Sequence, residues 1–178
     1  MFGVLGYASL SLGTAYFNMY LKDYEVRTLI KWAILLDIFG CSMNYCFAMR
    51  WNLLVGVSDI QYVVFTDIVI SSLSMAFSQL PTMVLFAKIT PKNIEATCFA
   101  FLTGTLNFSG GVMSPMLGSK INDIFVGVSA ENLKNYPTLI LIQLVTSFLP
   151  FLYLSFIPLK SEIKEYQEKR EEGKEVNK

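Results

Sequence analysis

Five apolar stretches, at residues 1–21, 28–49, 60–87, 96–125 and 137–158, fill nearly all of this 178-residue chain. A helix that crosses the hydrocarbon core needs about 20 mostly apolar residues at 1.5 Å each, and every one of the five is long enough. The first and fifth carry no charge, the second only Lys31 and Asp37, the third only Asp67, and the fourth Lys120 and Asp123 near its far end. Charged residues make up 16% of the chain, where a soluble domain has about a quarter. The sequence therefore predicts an all-α, multi-pass transmembrane bundle of five spanning helices over 1–159. A charged tail follows at 160–178, expected to be helical and to fray beyond Gly173.

The net charge is zero, but its distribution is uneven. On alternate sides of the predicted spans, one side holds Lys22, Arg27, Lys31, Lys88, Lys92 and six basic residues of the tail. The other holds Arg50, Lys120 and Lys134. An excess of Lys and Arg marks the cytoplasmic side or its matrix or stromal equivalent, which puts the amino terminus outside and the tail inside. The first apolar stretch has no basic residue before Lys22, so it reads as a retained helix rather than a cleaved leader, and further sequence is expected ahead of it.

Chemistry of other kinds finds no support. The chain has no histidine, which removes the commonest general base, and its three cysteines, Cys41, Cys46 and Cys98, fall within or beside apolar stretches and read as packing residues. No nucleophile elbow, phosphate loop or dinucleotide fingerprint occurs. The expectation is a protein that is not an enzyme, needs no cofactor or metal, and has the lipid bilayer rather than nucleic acid as its surroundings.

Polar and small residues fall on helical stripes. They are Tyr7, Ser11, Thr14 and Asn18 on the first stretch, and Asp37, Cys41 and Asn44 on the second. The third has Asp67, Ser71, Ser74 and Ser78, the fourth Thr103, Asn107, Gly110 and Ser114, and the fifth Gln143, Ser147 and Pro150. Helices in lipid are not driven together by water, so such stripes mark faces that meet protein or a hydrated cavity, either as interhelical hydrogen bonds or as a path lining. Asp67 and Asp37 are the costly members. An aspartate at mid-membrane costs about 2.5–3.5 kcal/mol to insert, against about 0.3–0.6 gained from each Leu, Ile, Phe or Val. The candidates for a substrate or proton path are Asp67, Asp37, Asn107, Ser71, Ser74, Asn44 and Gln143.

Gly110, Ser114 and Gly118 space small residues four apart, a pattern that lets another helix approach closely, and Pro81 and Pro115 are expected to kink their helices. These are the packing and gating candidates. Between the third and fourth helices, Pro91, Lys92 and Glu95 belong to a tight turn on the basic side. There Thr90 is predicted to cap the next helix with Pro91 in its first turn.

The order of these landmarks resembles the folate–biopterin transporter family of the major facilitator superfamily. The residues that carry the resemblance are GVSD at 56–59, TDIVI at 66–70, LPTMVLFAKITPKNIEAT at 80–97, and FLTGTLNFSGG at 101–111 with Gly118 beyond it. It covers the chain to about Leu159 and implies that the five helices correspond to the last five of twelve. It also implies that Asp59, Asp67, Glu95 and Asn107 stand at positions the family keeps polar. Asn93 departs from the glycine usual before the isoleucine–glutamate pair. The resemblance implies carriage of a small molecule of the pteridine or folate class. Because alternating access uses two six-helix halves, it also implies a missing amino-terminal half. The other expectation is a degenerate transporter half held as a structural subunit among other membrane subunits.

Overall fold

The computed structural model describes residues 2–91 and 93–175, with side chains apart from those of 2, 3, 67 and 170–175. The described chain is all-helical, and among its residues no strand forms; Ser129 and Asn132 make one isolated antiparallel bridge. The helices are α1 (Phe2–Tyr16), α2 (Val26–Ala48), α3 (Trp51–Leu54), α4 (Asp59–Val63) and α5 (Ser71–Ile89). They continue as α6 (Glu95–Phe108), α7 (Ser114–Ile121), α8 (Tyr136–Thr146), α9 (Pro150–Tyr153) and α10 (Lys160–Glu175). Wider π-helical turns run on from or join several of them: Phe17–Leu21 after α1, Val64–Ile70 between α4 and α5, Ser109–Met113 between α6 and α7, and Asn122–Val126 after α7. Among the described residues, two helical stretches, Asp59–Ile89 and Tyr136–Lys169, are long and apolar enough to cross a membrane.

At the centre, α2 packs against α5 on one side and α8 on another, and α1 lies along α5. The face of α2 that makes these contacts buries Leu29, Ala33, Ile34 and Cys41. Close approach is made by glycines. A Cβ on Gly13 of α1 would stand 3.1 Å from the Ala76 Cβ of α5, and one on Gly40 of α2 would stand 3.2 Å from Ile70 Cγ2. Without a hydrophobic drive, dispersion between such closely set backbones is what holds helices together in lipid.

The stretch from α6 to α7 stands apart. Neither helix buries a residue, and the surroundings of Gly104, Gly110, Gly111 and Gly118 are open to 4 Å. Its contact with the bundle includes an edge-to-face pair, Phe99 against Phe86, with ring centroids 5.6 Å apart. The π turn Ser109–Met113 ends just before Pro115. Proline lacks an amide hydrogen and its ring crowds the carbonyl four residues back, and a turn wound one residue wider relieves both.

Two ends of the bundle are tied differently. At one end Arg27 reaches across to the 3-10 turn Leu154–Phe156 that follows α9, its Nε donating to the Ile157 carbonyl at 2.9 Å and its Nη2 to the Ser155 carbonyl at 3.2 Å. Glu25 accepts the Lys160 amide at 3.1 Å, Lys160 Nζ donates to the Asp23 carbonyl, and Gln167 Nε2 donates to the Lys88 carbonyl at 2.9 Å. The basic-rich connections and the tail are thus gathered together. At the opposite end the GVSD residues close a local knot. Gly56 takes a positive φ of 72°, Ser58 and Gln61 form a capping box at the start of α4, and Asp59 accepts from Asn52 Nδ2 and Arg50 Nη1, both at 2.7 Å. These two donors, Asn52 first, hold the Asp59 carboxyl below its ordinary value.

The 90–95 turn corrects one expectation. Thr90 closes α5 rather than opening α6: its backbone amide and its hydroxyl both donate to the Phe86 carbonyl. Helix α6 starts only at Glu95, with Ile94 at the cap position. Asn93 sits at φ 78°, the left-handed region that glycine enters freely and asparagine best among the rest, so the turn keeps the conformation a glycine would take. Asn93→Val should cost about 1–2 kcal/mol of stability and Asn93→Gly close to nothing. Thermal unfolding of the purified variants in detergent checks this, and equal midpoints for Val and Gly would refute the strained turn.

Candidate functional site

A cavity of about 200 Å³ opens where α2, α5 and the α8–α9 junction meet. Ile30, Ala33, Ile34 and Asp37 line it from α2, Ser74 and Ser78 from α5, and Ser147 and Pro150 from the last helical stretch. Four polar side chains from three separate stripes therefore share one space. The local sequence explains why. Ala33 and Asp37 are four apart on α2, as Ser74 and Ser78 are on α5, so each helix offers a small apolar or polar ledge on one side.

The serines are anchored to backbone. Ser74 Oγ donates across the interface to the Ala33 carbonyl at 3.4 Å, while Ser78 donates to Met75 at 3.3 Å and Ser147 to Leu144 at 2.7 Å within their own helices. Each hydroxyl thereby spends its hydrogen and keeps its oxygen lone pairs toward the cavity or a neighbour. Asp37 lies at the exposed rim, and among the described residues no hydrogen bond or ion pair reaches its carboxylate. A carboxylate at the mouth of a serine-lined cavity can take up a proton, or accept hydrogen bonds from a ligand's N–H or O–H groups.

The other sequence candidates are distributed as follows. The backbone of Asp67 lies in the π turn Val64–Ile70, a feature that often marks functional places in helices; its side chain lies outside the described residues. Ser71 opens α5 and is exposed, Asn44 is half-buried on α2, and Gln143 is exposed on α8. Asn107 is exposed on α6, a helix that buries no residue. Pro81 is fully buried inside α5, Pro115 is exposed in the first turn of α7, Pro91 lies in the turn, and Glu95 begins α6. Lys92 lies outside the described residues. The three cysteines are free thiols, Cys41 buried and the others half-buried.

Sequence reasoning missed Gly13 and Gly40 as the close-contact glycines. A signal was present, since Gly6 and Gly13 are seven apart on α1, and Gly6 too lies near α5, its Cβ position 3.8 Å from the Ser72 hydroxyl. It also missed Asn52, which is 1% exposed and has one buried oxygen, Oδ1, without a partner.

Comparison with known proteins places this architecture. The family model described as the BT1 family matches residues 1–177. A probable folate-biopterin transporter 9, chloroplastic, from Arabidopsis thaliana is 30% identical over 88% of this chain and 28% of its own length. The folate-biopterin transporter of Synechocystis sp. is 25% identical over 83% of the chain and 29% of its own length. Folate transporter 1 of Plasmodium falciparum is 21% identical over 85% of the chain and 29% of its own length. The chain thus spans about three tenths of the length of these curated relatives. No solved structure matches it. With the family model covering all but its last residue, the chain belongs to the BT1 family, whose members are transporters and not enzymes.

Proposed function

We propose that this chain is the carboxy-terminal membrane portion of a secondary carrier for small molecules of the pteridine or folate class, with proton-linked transport through the Asp37 cavity. The observation that carries the reading is the convergence of Asp37, Ser74, Ser78 and Ser147 from three helices on one space. An aspartate in an apolar helix is retained where it does work, because insertion alone would remove it. A carboxylate that binds a proton when open to one side and releases it to the other couples the two flows. The aminopyrimidine edge of a pteridine, with neighbouring N–H donors, also suits two carboxylate oxygens.

In this reading all five apolar stretches cross the bilayer, the amino terminus lies outside, and the end holding Arg27, Lys88 and the tail lies on the cytoplasmic, matrix or stromal side. The clustering of the basic-rich connections at one end supports that orientation. The share of the relatives' length that the chain covers supports a partner portion supplying the remaining helices. Asp67, in its π turn, is the second candidate for the proton site.

The test is uptake of labelled pteridine by the complete carrier. Asp37→Asn should lower proton-driven uptake by roughly a hundredfold or more, the scale of losing one general acid–base group. Unchanged proton-driven uptake would take Asp37 out of the mechanism, and the same loss in Asp67→Asn alone would move the site there.

A further inference from the structure

At the end of the bundle away from the Asp59 knot, α10 does not run on into water but lies back against the end of α5. Ile163 is 4% exposed beneath it, and Gln167 is tied to the Lys88 carbonyl. This leaves two adjoining hollows that share Ile163. One, of about 260 Å³, is lined by Lys88, Lys160, Lys164, Gln167 and Ile163. The other, of about 420 Å³, is lined by Ile89, Pro158, Glu162, Ile163 and Tyr166. We propose that together they hold one anionic membrane lipid, its phosphate among the three lysines and the start of an acyl chain in the apolar hollow.

Three cations line the first hollow with no carboxylate among them. Of the nearby acids, Glu165 pairs with Lys169 at 2.6 Å, while Glu25 and Glu162 accept the backbone amides of Lys160 and Leu159, at 3.1 and 2.6 Å. Among the described residues, neither ion pair uses Lys88, Lys160 or Lys164. The Lys160 ammonium also donates to the Asp23 carbonyl, while Lys88 and Lys164 line the same hollow outside any ion pair, and a phosphate there accepts hydrogens from all three and offsets their mutual repulsion. A soluble phosphate would satisfy the lysines alone. The apolar hollow beside them fits a ligand that carries both a phosphodiester and hydrocarbon, and basic pockets on the inner face of membrane proteins meet such lipids in the adjacent leaflet.

The site rests on the bilayer-spanning reading, and the experiment separates the two. The full chain is reconstituted in phosphatidylcholine vesicles containing some phosphatidylglycerol, and the relative association of spin-labelled forms of the two lipids is measured. Resistance of the chain to alkaline extraction is followed in the same vesicles. Wild type should prefer phosphatidylglycerol. Lys88→Ala with Lys164→Ala should lower that preference by roughly fivefold per lysine, about twenty-five-fold for the pair, while extraction resistance is unchanged. Lys169→Ala, on the same helix but outside the hollow, should keep the preference. An equal loss in Lys169→Ala would reveal diffuse attraction and overturn the site. Displacement of the label by millimolar inorganic phosphate would assign the hollow to a soluble anion, overturning the lipid. A wild-type chain stripped by alkali would overturn the spanning reading itself.

Discussion

Gly13→Leu is expected to force α1 away from α5 and to lower stability by about 1–3 kcal/mol, the range for overfilling a packed contact. The reason is space. A Cβ there already stands 3.1 Å from Ala76 Cβ and 3.4 Å from Leu73 Cδ2, and Ala76 is 1% exposed, so it has nowhere to retreat. The same change at Gly110, where nothing lies within 4 Å, should stay within about 0.5 kcal/mol in this chain. Unfolding in mixed micelles with increasing denaturing detergent measures both. A Gly13→Leu protein as stable as wild type would mean that the α1–α5 contact does not form.

Asn52→Leu is expected to cost about 2–3 kcal/mol, since one of the two bonds it removes is to a charged acceptor. Asn52 Nδ2 donates to Asp59 Oδ1 at 2.7 Å and to the Val57 carbonyl at 3.2 Å, so the variant frees the 56–59 turn and leaves Asp59 to Arg50 alone. The partnerless Oδ1 of Asn52 vanishes in the same change, which trims the loss. Asn52→Asp should behave differently with pH. Two carboxyls in contact raise the folded-state pKa of the pair, so the variant is steadiest in acid and weakens as pH rises through that value. The midpoint of detergent unfolding against pH reads the slope, and a flat profile would refute direct contact between positions 52 and 59.

The helices themselves were legible because the apolar runs are long and end at charge. The run at 28–49 becomes α2, 60–87 falls within Asp59–Ile89, and 96–125 is the succession from α6 to Val126. What could not be read was which helices touch. A stripe drawn at 3.6 residues per turn assumes an unbroken wheel, and each π turn rotates all that follows it. Ser74 and Ser78 lie beyond the turn Val64–Ile70, so their direction relative to Asp67 was not fixed by spacing. The sharing of a cavity by Asp37 and Ser147 depends on α2 meeting α8, a contact between positions 110 residues apart in the chain that no local pattern encodes. Small-residue spacing pointed to Gly110 and Gly118, whereas the contacts within this chain fall at Gly13 and Gly40; the pattern says that a helix can be approached, not by what. The lysine hollow depended on α10 packing against the end of α5, a matter of tertiary packing rather than propensity.

The Arg27 clamp has a consequence for biogenesis. Its acceptors lie 130 residues downstream, and at ribosomal speeds of about 5–20 residues per second they are synthesised roughly 6–26 s after the guanidinium. For that interval the cation at the head of α2 must be solvated by water or lipid headgroups. The nascent chain therefore cannot lock the loop between α1 and α2 until the segment after α9 has emerged, so ribosome-bound intermediates arrested before Ser155 should remain open to protease at residues 22–27.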